Sequence, residues 1–238
     1  CTRPIRCLSH TFRVSDPLNC AMSTIDPNQK HPSVKGAFFV TAGFILMVWA
    51  IWIVDAGLNL DLYRFGVYPH TLSGLGGIAI APLIHASAAH IFANTPALLV
   101  LGTALVYGYP RSAGRAFCGI YILSGIGIWL LARDGYHIGA SGLTHGVMFF
   151  IFVIGVLRRD KPAIALALIV FFLHGSMIWG IFPQESKISF EAHLFGAIAG
   201  VVLAFVLRNR DPKPPEKRYS WEDEEESENQ IPPASPSV

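Results

Sequence analysis

Several polar side chains of chemically useful types stand inside otherwise apolar stretches of this sequence: His85, His90, Asn94, Ser141, His145, His174, Glu191 and His193. Such a group at membrane depth is costly unless it has a partner or a task. His90 and Asn94, four residues apart, fall about 40° apart on one helical face and can present two donors to one point. His85 lies five residues before His90, roughly 140° around the same axis if one helix carries both, which disfavours a metal site built from that pair. Ser141 sits in Gly139-Ala140-Ser141-Gly142. A helix that begins there, inside the membrane, points free backbone N–H groups into a cavity. His193, Gly196 and Gly200 follow at offsets of three and seven on one face. The two glycines form a small-xxx-small surface that admits another backbone. Packing it against Gly139–Gly142 would bring His193 to Ser141, and a hydroxyl next to an imidazole is the arrangement of nucleophilic acyl transfer. Taken singly, each feature has a plainer reading: an intramembrane histidine often caps a neighbouring helix, and both glycine motifs occur by chance in apolar helices. The combination shifts that balance.

The elements that must position these residues are membrane spans. Of 238 residues 52% are hydrophobic and 14% charged, with a mean hydropathy of +0.46, against the roughly one quarter charged residues of a soluble domain. The 18 Lys+Arg and 16 Asp+Glu leave a net charge of +2, which argues against a nucleic-acid surface. A span needs roughly 20 apolar residues to cross about 30 Å of hydrocarbon. Six stretches qualify: 36–54, 77–106, 116–132, 142–157, 162–181 and 190–207, the fourth being short. Fifteen of the 18 basic residues fall on the side shared by both termini, with Arg64, Arg133 and Lys187 opposite, so the positive-inside rule predicts cytoplasmic termini. Residues 1–35 and 208–238 read as unfolded cytoplasmic segments. The second is rich in Pro, Ser and acid, with Glu222–Glu228 almost continuously negative, and cannot bury enough apolar surface to fold. The chain opens with Cys1; Met22 offers an alternative start, which would leave residues 1–21 outside the native protein. Cys1, Cys7 and Cys20 lie in that segment and Cys118 lies in a span, which gives neither a disulfide framework nor zinc spacing.

With His85-x4-His90-x3-Asn94 on the second span, Gly139-Ala140-Ser141-Gly142 opening the fourth, and Ala192-His193-x2-Gly196-x3-Gly200 on the sixth, the sequence resembles the rhomboid family of intramembrane serine proteases from about Gly36 to Leu207. The resemblance implies an all-α membrane protein, a six-helix bundle with a short central fourth helix. It implies a Ser–His dyad with Ser141 as nucleophile and His193 as general base, and an oxyanion hole made by the Ser141 backbone N–H with His90 and Asn94. His85 would be a structural or water-network residue, and Gly139, Gly142, Gly196 and Gly200 would support the site by close packing. The Gly57–Gly77 loop would be partly embedded in the membrane, with Tyr63-Arg64 where many members carry Trp-Arg. His145 departs from the family, which usually places Tyr or Phe against the catalytic histidine. It is read as a stacking substitute, with a tuning role as a second titratable ring the alternative. No metal or cofactor is implied. The partners would be the lipid bilayer and single-pass transmembrane proteins cleaved within their membrane segments. Two rival functions remain: a proton- or ion-coupled transporter using the same histidines, and an inactive relative that binds membrane clients.

Overall fold

In a computed structural model the described residues are 33–183 and 189–213. The expectations for residues 1–32 and for the acidic run of the tail lie outside them. Ser33 caps α1 (Val34–Leu58), accepting from the N–H of Gly36 at 3.0 Å. A loop with a single 3-10 turn (Leu62–Phe65) leads to the short α2 (Leu72–Ile80). Then follow α3 (Ala88–Gly108), α4 (Ala113–Leu131), α5 (Ser141–Arg158), α6 (Lys161–His174) with a 3-10 extension over Gly175–Ile181, and α7 (Phe190–Leu207). Six of these, α1, α3, α4, α5, α6 with its extension, and α7, are long and apolar enough to cross a membrane.

The expected second span breaks in two. α2 tightens into a 3-10 turn at Ala81–Leu83, Ile84 is extended, and Ser87 caps a new helix by accepting from His90 N–H at 3.2 Å. Pro82 is the physical reason, since its ring clashes with the preceding turn and it has no N–H to continue an α-helix. His85 therefore lies in the break and not on the helix of His90. The 140° angular separation does not apply, and the two rings lie 4.9 Å apart.

α5 is the central element. It buries Gly142 through Met148 without a gap, then Phe150, Ile151 and Ile154, so in its first half it is enclosed on every side rather than along one stripe. Around it, Leu98, Leu101, Leu105, Ile120 and Ala204 complete the core. α1 packs mainly on α3, where Trp49 Nε1 donates to Thr95 Oγ1 at 3.0 Å and its ring meets Phe92 at 4.7 Å, and Phe44 meets Phe117 of α4 edge-on at 5.2 Å. Its other side, including Phe39, Val40 and Leu46, is open, as a lipid-facing surface would be.

Two features lock α5 against α7. Along the seam, a methyl group on Gly196 would run into the carbonyl of Gly142, and one on Gly200 into the carbonyl of Gly146. Backbone therefore lies directly on backbone, which only glycine permits. At the far end the buried Arg158 donates from Nε to Asp160 Oδ2 at 2.9 Å, from Nη1 to Asp211 O at 2.6 Å and from Nη2 to Pro212 O at 3.1 Å. The end of α5 is thereby tied to the chain leaving α7.

Candidate active site

The turn that presents Ser141 is built by three contacts. Gly139 has φ +104°, a left-handed conformation that favours glycine. The imidazole of His90 also lies against it, so a Cβ there would sit 2.6 Å from His90 Cε1. Gly139 N–H donates to Ala81 O at 2.9 Å, and Ala140 N–H points at His85 Nε2 at a long 3.4 Å. His85 thus supports the turn before the serine. α5 then starts with no side-chain cap on Ala140, which leaves first-turn N–H groups directed outward.

The α5–α7 seam sets the distance between Ser141 and His193. His193 stands one turn before Gly196 on α7, and Ser141 immediately before Gly142 on α5. Because Gly142 and Gly196 touch, Ser141 Oγ and His193 Nε2 come to 2.9 Å, a normal hydrogen bond. His193 Nδ1 lies 2.9 Å from Gly180 O. A carbonyl only accepts, so Nδ1 carries the proton and Nε2 is left as the acceptor for the serine hydroxyl. His145 stacks on His193 with ring centroids 3.9 Å apart and planes at 6°. Its Nδ1 is 2.7 Å from Ser141 O and its Nε2 3.1 Å from Met177 O.

Asn94 is buried on α3, its amide donating to His90 O at 2.9 Å. An amide nitrogen has two hydrogens, so one remains. The structure thus brings together His85, His90 and Gly139 on one side, and Ser141, Gly142, His145, His193 and Gly196 on the other. His174 ends α6, and its Nε2 has no hydrogen-bond partner among the described residues.

Several contributing residues were not singled out from sequence. Gly180 and Met177 act through backbone carbonyls, which no side-chain motif reveals. Gly146 completes the seam and could have been found as the residue one turn after Gly142. A polar clamp on the serine side also emerges. His137 Nε2 donates to Arg133 O at 2.9 Å, its Nδ1 meets Ser189 Oγ at 2.7 Å, and its backbone pairs with Val67 in an isolated antiparallel bridge. Ser189 caps α7, and the buried Glu191 pairs with Arg133 Nε at 3.1 Å. A lone acid in an apolar span demands a cation, and the sequence offered three on that side. Among the described residues no group of three or more His, Cys, Asp or Glu side chains is arranged to hold a metal.

Comparison with known proteins agrees with this architecture. The Rhomboid domain family matches residues 72–210. A protein of Mycobacterium tuberculosis named only as uncharacterized is 37% identical over 175 residues, covering 69% of this chain and 72% of its own. A similarly named protein of Mycobacterium leprae is 31% identical over 173 residues, covering 69% and 68%. A Bacillus subtilis protein bearing the name "Putative rhomboid protease YdcA" is 28% identical over 198 residues, covering 74% and 90%. With a domain match over more than half the sequence and six helices long and apolar enough to span a bilayer, this chain is a multi-pass membrane protein that belongs to the rhomboid family.

Proposed function

We propose that this protein is an intramembrane serine endopeptidase in which Ser141 attacks a peptide carbonyl and His193 is the general base. The observation that carries the reading is the 2.9 Å contact between Ser141 Oγ and His193 Nε2, with the opposite ring nitrogen held by Gly180 O. A serine hydroxyl is a weak nucleophile until a base takes its proton. With Nδ1–H donating to Gly180 O, Nε2 accepts that proton as the Oγ–carbonyl bond forms. The oxyanion that develops is met by the N–H of Ser141 at the uncapped start of α5, by His90, and by the second amide hydrogen of Asn94. Such donors act on the transition state more than on the ground state, and loss of one costs on the order of 10²–10³ in rate. The imidazolium returns its proton to the leaving amine. Water then repeats the cycle and frees the acyl-enzyme.

The substrates are single-pass membrane proteins whose helix unwinds locally, because a helical carbonyl is tied up in its own i to i−4 bond. Helix-weakening residues near the cut favour that opening. The catalytic unit spans residues 36–207, and the flanking segments 1–35 and 208–238 are cytoplasmic by the distribution of basic residues. The site then opens toward the non-cytoplasmic face.

The test is cleavage of a transmembrane-peptide reporter by purified protein. Wild type cleaves, while Ser141→Ala and His193→Ala do not. Activity requires a neutral His193, so cleavage declines as pH falls and the ring takes up a proton. Undiminished cleavage by Ser141→Ala rejects the mechanism.

A further inference from the structure

The Gly175–Ile181 extension of α6 is seven residues of 3-10 helix, longer than the three or four that this geometry usually sustains. Something beyond its own hydrogen bonds must hold it. Two of its carbonyls face the stacked imidazoles: Met177 O toward His145 Nε2 at 3.1 Å and Gly180 O toward His193 Nδ1 at 2.9 Å. His145 Nδ1 faces Ser141 O at 2.7 Å. His145 therefore joins the backbone of Ser141 to that of Met177, three residues before the carbonyl that orients His193. A neutral imidazole donates to one of the two carbonyls at a time and its cation to both. A phenyl ring in the same place would reproduce the stack and offer no donor to either carbonyl.

In a dyad without a carboxylate, the proton on the far nitrogen of the base must be fixed by some other acceptor, and a wrong tautomer is costly. Here that acceptor is a main-chain oxygen on a segment whose outer side is open, with Trp179 and Phe182 exposed. Its position depends on what ties the segment to α5. We infer that His145 is a positioning residue: by donating from Nε2 to Met177 O it holds Gly175–Ile181 against α5, and so keeps Gly180 O where it fixes the tautomer of His193. This rests on the protease reading above and adds to it a hydrogen-bonding task for the residue where a plain aromatic ring would otherwise suffice.

Two variants separate the tasks. His145→Phe keeps an aromatic face and loses the donor to Met177 O. His145→Gln loses the face but places an amide nitrogen near the position of Nε2, within reach of Met177 O. The expected result is a fall in kcat on the order of 10–100-fold for His145→Phe with KM little changed, and a distinctly smaller fall for His145→Gln. Equal losses in the two variants, or a smaller loss in His145→Phe, overturn the proposal. Hydrogen exchange of residues 175–181 gives a reading that needs no cleavage. Protection drops in His145→Phe and is retained in His145→Gln, and unchanged protection in His145→Phe overturns the proposal. If the wild-type protein does not cleave the reporter at all, the protease reading fails, while the exchange result still decides whether His145 holds the segment.

Discussion

The seam between α5 and α7 and the extended end of α6 meet at the same two side chains, but they are built in opposite ways. The seam is backbone on backbone, with Gly142, Gly146, Gly196 and Gly200 interleaved deep in the bundle and Arg158 fastening its far end. The α6 side is open, with Ile169, Phe172 and Leu173 exposed, and near the site its 3-10 extension is held by hydrogen bonds from two imidazoles. The seam fixes how far Ser141 stands from His193. The extension fixes which nitrogen of His193 is the acceptor. Distance is set by the close-packed seam, and proton placement by the open edge of the bundle.

The same one-methyl change made at a glycine in each region should therefore have different consequences. At Gly196 the added carbon meets the Gly142 carbonyl, and neither helix backbone can step aside without parting the seam. Gly196→Ala is expected to cost about 3 kcal/mol or more of stability, at the upper end of overpacking effects, and to abolish cleavage, since a shift of about 1 Å at reacting atoms costs on the order of 100-fold. Thermal unfolding in detergent beside the reporter assay measures both. A variant that melts with wild type would mean that the seam is softer than its geometry. At Gly180 the added carbon would meet only ring ends, His145 Nε2 at 2.8 Å and His193 Nδ1 at 3.1 Å, and Gly180 is not among the positive-φ glycines. Gly180→Ala is expected to lower kcat roughly 10-fold or more by tilting the imidazoles, with stability within about 1 kcal/mol of wild type. A large loss of stability there would erase the contrast.

The contrast also explains what the sequence disclosed. The six spans were legible because hydropathy and length are nearly the whole requirement for crossing a bilayer. The nearness of Ser141 and His193 was legible because GxxxG on one helix and Gly-x-Ser-Gly on another describe matching surfaces. What stayed hidden was either the work of main-chain atoms or a local break. The carbonyls of Met177 and Gly180 carry no side-chain signature. Pro82, lying inside an apolar run, reads equally well as a tolerated kink or as a stop. Treating 77–106 as one helix misplaced His85, which the structure sets in the gap with its ring 4.9 Å from that of His90. The His137–Ser189 and Arg133–Glu191 contacts join loop residues to the start of α7, and such long-range polar pairs have no periodicity to betray them.

The smallest expected effect tests whether α6 is open because of what surrounds it or because of what it is made of. Phe172 is 84% exposed on the outer face of α6, where a lipid tail is as good a neighbour as a side chain. Phe172→Leu exchanges one apolar group for another on that face, so the melting midpoint should stay within the equivalent of about 0.5 kcal/mol and kcat within about twofold. If the substitution instead lowers kcat tenfold without changing the melt, the outer face of α6 takes part in receiving the substrate helix, and the freedom of this side belongs to recognition. If it lowers both, α6 packs against something in the membrane. The division of labour between a close-packed seam and an open edge would then have to be redrawn around that contact.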